Sequence, residues 1–287
     1  MNLAAPGTLD QGCMRAVAAA VALLWMTGAN AETVYSNDFE TPATAFAGLT
    51  ASGTLGAGGL STTSLPTDGG TLASPNQSTW LGRLGYGIGK ASADGEVVTL
   101  ALGGLTAGKQ YSLAFDLLVG ASWDGSAISY GADQIAVSAQ SGVAADQLLL
   151  DATFANGQQG INYGADSRQS YSDATPLGGD ALSFNRFAGA DASFSNNSGD
   201  YSGDYSIYSF GRGTGNPMLT FTADDSTASL VFKRLPTASG DSGDEYWALD
   251  NITVASVAAV PEPGTSALML AGLGLLGYGV RRRSSKA

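Results

Sequence analysis

The sequence predicts an all-β protein: an antiparallel, jelly-roll-like β-sandwich with a long insertion, flanked by a signal peptide and a short C-terminal transmembrane helix. Short runs of alternating apolar and polar residues are separated by turn pairs such as Asp94-Gly95 and Asn156-Gly157. The composition agrees, because 40 of 287 residues are glycine and only 13% are charged. One all-β domain can fill the middle of such a chain.

Seven segments show the period of two that is typical of half-buried strands. In the clearest of them, Tyr111, Leu113 and Phe115 share one face. The predicted strands are 96–102, 110–119, 133–139, 147–154, 218–222, 228–235 and 247–254. In the last strand the apolar phase shifts at Asp250-Asn251, which predicts a β-bulge there.

The segment 156–217 differs from its surroundings because it is rich in Gly, Asn, Ser and Asp and carries many aromatic residues. A structureless loop of that length is improbable in a compact domain. We therefore expect an insertion with its own hairpins that flanks one rim of the sandwich.

The net charge of −12 disfavours nucleic acid, because an acidic surface repels phosphates, whereas it suits solubility and divalent cations. The chain has one cysteine, Cys13, and no histidine. This excludes a disulfide within the chain, His-based catalytic triads and most zinc sites.

The N-terminus has the pattern of a signal peptide spanning 1–31. Arg15 precedes the apolar run 16–26, and Ala29-Asn30-Ala31 is a small-x-small site for signal peptidase, so Glu32 would begin the mature chain. Met14 can serve as the start. Cys13 precedes the apolar run, so it is not a lipidation site. The alternative is a buried N-terminal helix.

The C-terminus, 258–287, combines three features of a sorting signal. Val260-Pro261-Glu262-Pro263 is followed by the apolar run 266–280 and then by Arg281-Arg282-Arg283. The run is barely long enough to cross a membrane. The arginines would stay in the cytoplasm, and the prolines keep the preceding segment extended, as a protease substrate must be.

This tail resembles the PEP-CTERM sorting signal of Gram-negative bacteria. The alternative interpretation is an ordinary single-pass membrane anchor. The resemblance implies recognition by exosortase, a membrane protease, in a host that makes exopolysaccharide. It also implies transient anchoring in the inner membrane, followed by a location at the cell surface or outside the cell.

Acidic residues lie near both ends of the domain 32–257. Asp38 and Glu40 follow the first apolar residues, and Asp250 lies in the last predicted strand. The first and last strands of a sandwich are commonly neighbours, so these carboxylates could meet. Converging carboxylates and carbonyls are the ligands of Ca²⁺.

The same residues make the chain similar to jelly-roll carbohydrate-binding modules, which have an Asn-x-x-Phe-Glu-like start and an Asp-Asn pair near the end. That resemblance implies that Glu40 and Asp250, with Asp38 next, are ligands of a structural Ca²⁺. Solvated carboxylates without metal are the alternative.

Three tryptophans, Trp80, Trp123 and Trp247, could stack on sugar rings. Trp123 and Asp124 lie in a turn-like segment, and Trp247 follows an acidic loop, so we predict Trp123, Asp124 and Trp247 as ligand-binding residues. Packing in the core is the alternative for tryptophans beside a sandwich core.

No pattern identifies a catalytic residue. So many acidic residues make a chance carboxylate pair nearly certain, and the Gly-rich segment 211–215 lacks the lysine of a phosphate loop. We therefore expect no enzyme, but an adhesive or structural surface component associated with exopolysaccharide or biofilm. The alternatives are a calcium-stabilised carbohydrate-binding module and, more distantly, a glycoside hydrolase.

Overall fold

The structure is a computed structural model that describes residues 31–53, 60–64, 78–85, 95–121, 123, 125–126, 132–155, 169–172, 176–177, 190–194, 205–212, 218–235 and 245–258. These ranges contain thirteen β-strands and no helix, which confirms the all-β prediction. Accordingly, no helix able to span a membrane is found within them. The predicted signal peptide, apart from its last residue Ala31, and the predicted sorting motif and membrane span lie outside the described residues.

The strands follow one another along the chain in the unit Glu32–Val257, which is compact. They are β1 Thr33–Asn37, β2 Leu49–Gly53, β3 Thr62–Ser64, β4 Thr79–Leu84, β5 Glu96–Leu102, β6 Gln110–Ala121, β7 Gln134–Gln140, β8 Gln147–Thr153, β9 Ala192–Phe194, β10 Tyr205–Phe210, β11 Leu219–Thr222, β12 Ala228–Arg234 and β13 Glu245–Ser256.

The strands form two antiparallel sheets. Sheet A contains eight strands in the order β3-β4-β13-β6-β10-β9, with β1 also paired to β13 and β11 also paired to β6. Sheet B contains five strands in the order β2-β5-β12-β7-β8. All seven strands predicted from alternation are present, as β5 to β8 and β11 to β13.

The two longest strands, β6 and β13, pair at the centre of sheet A. β4 pairs with the first half of β13, and β1 pairs with its second half, so the first and last strands of the domain are neighbours, as expected. The register of β13 against β6 shifts between Asp250 and Thr253, and Asn251 has a φ of 54°. The predicted bulge is therefore confirmed.

One hydrophobic core joins the inner faces of both sheets. Phe115 of sheet A meets Phe232 of sheet B edge to face, with ring centroids 5.2 Å apart, and stacks on Phe210 at 4.7 Å. Aromatic pairs at these separations add to the free energy of burial. The core is thus built by alternate residues of strands from both layers.

The strands that the structure describes within 156–217 are more central than the rim position that we expected. β9 and β10 pair with each other, as expected of its own hairpins, but β10 also pairs with β6 and extends sheet A. Tyr208 and Phe210 are fully buried in the core, which explains why this strand belongs to the sheet and not to its rim. Their alternation was the sequence signal that would have revealed it.

Candidate functional site

Two carboxylates lie opposite each other on the outer face of sheet A, turned away from the core. Asp116 of β6 pairs with Asp250 of β13, and their neighbours Phe115, Leu117 and Leu249 point into the core. Directly opposite residues on antiparallel strands have Cα atoms about 4.5–5.5 Å apart. The register alone therefore forces two acidic side chains together.

The bulge brings a side-chain amide between them. Because Asn251 adopts a left-handed backbone conformation, its Nδ2 donates to Asp116 Oδ2 at 2.8 Å and to Asp250 Oδ2 at 3.1 Å. Its backbone N–H donates to Asp250 Oδ1 at 2.6 Å. Arg212, which follows β10, donates from Nη1 to Asp116 Oδ2 at 3.0 Å. We call these four residues the carboxylate pair site.

Of the two acidic residues predicted near β1, the structure brings Glu40 towards this site. Glu40 is exposed, and its carboxylate accepts from Thr79 N at 2.6 Å and from Thr79 Oγ1 at 3.1 Å, at the start of β4. Asp38 is exposed and accepts from Glu40 N at 3.2 Å. Within the described residues, the charges that act on Asp250 come from Asp116 and Glu40, not from Asp38.

The surroundings disfavour ionisation of Asp250, which has no exposed area. The pKa of Asp250 is raised from its usual 3.8 to about 7, chiefly by burial and to a smaller extent by the negative charges of Asp116 and Glu40. Hydrogen bonds from Ser78 and from the backbone of Asn251 act in the opposite direction. At neutral pH, Asp250 is thus either protonated or carries a negative charge that its neighbours do not fully compensate.

Among the described residues, Asp116 Oδ1 and Trp80 Nε1 are buried on this face without a hydrogen-bond partner. Trp80 belongs to a second apolar cluster, separate from the core. Its members are Trp80, Leu118, Ala121, Tyr205, Ile207, Tyr246 and Ala248. A buried polar group without a partner is expensive, so such atoms are where water, a cation or a hydroxyl group could bind.

Calcium binding at this site stays a prediction. Asp250 and Glu40 act on each other electrostatically, as the prediction requires. However, no group of three or more His, Cys, Asp or Glu side chains in the described ranges is arranged to hold a metal ion. Further ligands would have to be amide, hydroxyl or backbone oxygens, which Ca²⁺ accepts.

The predicted sugar-stacking tryptophans lie elsewhere. Trp123 and Trp247 are fully buried in the core, and Trp123 Nε1 donates to Tyr246 O at 3.0 Å. Neither ring offers a face to a ligand, so the packing alternative fits both positions. Asp124, the third predicted residue, lies outside the described residues.

Trp123 instead contacts a buried ionic cluster. The guanidinium of Arg234, at the end of β12, lies 5.3 Å from the Trp123 ring centroid. It forms ion pairs with Glu245, with Asp133 at 3.6 Å and with Glu96 at 3.9 Å. All three carboxylates are at least nine-tenths buried, so this cluster links the ends of four strands in the interior.

No site role was assigned to Asp116, Arg212 or Arg234 from the sequence. Asp116 lies within the alternating strand 110–119, and the alternation predicts that its side chain points away from the core. The alternation does not predict which residue lies opposite Asp116 on the neighbouring strand. Glu245 belongs to the acidic loop before Trp247, but the charged ends of β5 and β12 gave no signal, because terminal charges usually lie in solvent.

Comparison with known proteins decides the role of the C-terminus. Residues 259–283 are a PEP-CTERM protein-sorting motif. This motif implies export, anchoring by a C-terminal segment, processing by exosortase and a location at the cell surface. No curated protein matches the chain.

Among solved structures, the K1 cleaved adhesin domain of Lys-gingipain from Porphyromonas gingivalis W83 is similar over 77% of this chain and 96% of that one, at 16% identity and a TM-score of 0.35. A lectin from Bauhinia forficata, solved with GalNAc, is similar over 80% and 99%, at 8% identity and 0.34. A family GH115 4-O-methyl-alpha-glucuronidase is similar over 58% of this chain but only 14% of its own, at 11% identity and 0.24.

Proposed function

We propose that this protein is a non-enzymatic adhesive or structural component of the cell surface that associates with exopolysaccharide. The observation that carries the proposal is the PEP-CTERM motif at 259–283, which belongs to a route for surface proteins. The domain that precedes it is a two-sheet β-structure with one continuous core. Such a core needs no disulfide to persist outside the cell.

The geometry of the carboxylate pair site favours a role without catalysis. A glycosidase needs two carboxyl groups that flank a bound sugar. Asp116 and Asp250 are instead held by one amide group of Asn251, and Asp250 has no exposed area. A substrate bond could not lie between them in this arrangement.

A second candidate function is a calcium-stabilised carbohydrate-binding module. The observation that favours it is the buried Asp250 beside Asp116 and Glu40, because a divalent cation would offset their mutual repulsion. In this version calcium stabilises the fold of the outer sheet face and does not contact the sugar.

The sorting step is tested in the producing strain with the full chain. Wild-type protein should lose the segment after the Pro-Glu-Pro region, whereas changing Pro261, Glu262 and Pro263 to alanine should leave a membrane-bound precursor. The matched control changes Ser284 and Ser285, just beyond the motif, and should be processed normally. Intact-mass analysis that finds Arg281 to Arg283 still present in released wild-type protein would contradict exosortase processing.

The adhesive role is tested on the released protein. It should cosediment with exopolysaccharide purified from the same strain and should release no reducing sugar from it. If reducing ends are released at a rate proportional to the protein concentration, the protein is a hydrolase and this proposal is wrong. Absence of any cosedimentation would remove the association with exopolysaccharide.

A further inference from the structure

The outer face of sheet B is open to solvent, in contrast to the buried outer cluster of sheet A. Along β5, β12 and β7 every second residue is buried, and the residues between them are partly or fully exposed. These outward residues are Val97, Thr99 and Ala101 on β5, Ser229, Val231 and Lys233 on β12, and Gln134, Ala136, Ser138 and Gln140 on β7.

The strand registers arrange these residues in rows across the sheet. Val231 on the central strand pairs with Thr99 on one side and with Ser138 on the other. Thr99 in turn pairs with Thr50 of β2, and Ser138 pairs with Leu148 of β8. Five strands at about 4.8 Å spacing make a face about 19 Å wide that displays hydroxyl, amide and apolar groups. The largest of the apolar groups is Leu148 at the edge, which is 48% exposed.

This face is also nearly free of charge. In a chain with 25 acidic and 13 basic residues, its outward strand positions carry one cation, Lys233, and one anion, Asp151 at the edge. The carboxylate of Asp151 accepts a hydrogen bond from Gln134 Nε2. Gln140, another outward residue, donates from Nε2 to the exposed carboxylate of Asp146 at 2.7 Å. Most of the acidic surplus nevertheless lies outside these strand positions, so an acidic polymer meets less repulsion here than on a strongly acidic face.

We propose that the outer face of sheet B is the surface that binds the exopolysaccharide, an inference that rests on the proposed function. Serine, threonine and glutamine both donate and accept hydrogen bonds, as sugar hydroxyls do. Neutral groups are also less expensive to remove from water than carboxylates. Val97 and Val231 offer small apolar areas to the C–H faces of sugar rings, and Lys233 tolerates an acidic sugar.

The composition favours a polysaccharide over a second copy of the chain. Protein interfaces are enriched in aromatic residues, methionine and arginine and depleted in serine, alanine and lysine. The outward positions of β5, β7 and β12 hold none of the enriched types and several of the depleted ones. An array of mostly small and neutral side chains therefore favours a carbohydrate chain over a protein as the occupant.

The test introduces negative charge into the centre of the face. Thr99→Glu and Ser138→Glu place a carboxylate on either side of Val231, and Thr220→Glu is the matched control, at a partly exposed threonine of β11 in sheet A. Protein released by the producing strain is compared with wild type by cosedimentation with exopolysaccharide from that strain. Thermal melts confirm that each variant is folded.

The double variant Thr99→Glu/Ser138→Glu should bind at least about tenfold more weakly than wild type, whereas Thr220→Glu should bind as wild type does. Equal binding by wild type and the double variant, with both folded, overturns this inference but leaves the proposed function intact. No binding by wild type refutes the proposed function itself. A wild-type dimer in light scattering that the double variant loses, with polysaccharide binding unchanged, would assign the face to self-association.

Discussion

Removal of the Arg234 charge tests whether the buried ionic cluster holds the end of the sandwich together. Arg234 is 1% exposed and is the cation that faces Glu96, Asp133 and Glu245. Arg234→Met keeps most of the stem that packs beside Trp123 but leaves three buried carboxylates without that cation. Breaking a buried ion pair in this way lowers the free energy of unfolding by about 3–5 kcal/mol.

For a domain the size of Glu32–Val257, each kcal/mol lowers the melting temperature by about 2–4 °C, so Arg234→Met should melt about 6–20 °C below wild type. Scanning calorimetry measures this shift. The matched control is Lys233→Met, one residue earlier on the opposite face of β12, which should change the unfolding free energy by less than about 0.5 kcal/mol. Adding Glu245→Gln to Arg234→Met should restore part of the loss, because one uncompensated carboxylate disappears.

Two results would refute this reasoning. If Arg234→Met melts within about 2 °C of wild type, the cluster contributes no more than a surface pair. If the double variant with Glu245→Gln is less stable than Arg234→Met alone, repulsion among the carboxylates is not the cause of the loss.

Two further predictions concern the carboxylate pair site. Burial is the main reason that the pKa of Asp250 is about 7 in the folded protein. Between about pH 4 and 7, Asp250 is therefore protonated in the native state but not in the unfolded state. The protonated group stabilises the fold at low pH, and this contribution is lost as the pH rises through about 7. In chelator, the stability difference between wild type and Asp250→Asn should therefore fall by up to about 2.7 kcal/mol between pH 5 and 7 in urea unfolding; a difference independent of pH would contradict the shift. If calcium binds, a hundredfold excess over Kd should add about 2.7 kcal/mol of stability, which Glu40→Ala or Asp250→Ala should abolish and Asp146→Ala should not. A melting temperature insensitive to calcium and to chelator, with no metal by elemental analysis, would leave these carboxylates as ordinary charges.

The alternation in seven segments determined much of the fold by itself. Period-two patterning depends only on which side chains must leave water, so the strands from β5 to β8 and from β11 to β13 could be predicted from the sequence alone. The phase shift at Asp250-Asn251 likewise revealed the bulge, because a bulge changes which residues face the core. The sorting motif was readable for a different reason: a protease recognises it as a linear, extended segment.

The tertiary structure decided which charges meet. Asp116 and Asp250 are far apart in sequence, and only the register of β6 against β13 makes them opposite each other. The cluster around Arg234 joins the ends of strands from both sheets, which no local pattern encodes. Burial also depends on the packing of sheets whose strands come from distant parts of the sequence. The sequence therefore predicted Trp123 and Trp247 as sugar-binding residues, whereas the structure places both in the core. Local periodicity reports the two faces of a strand, and the pairing of strands determines what each face contacts.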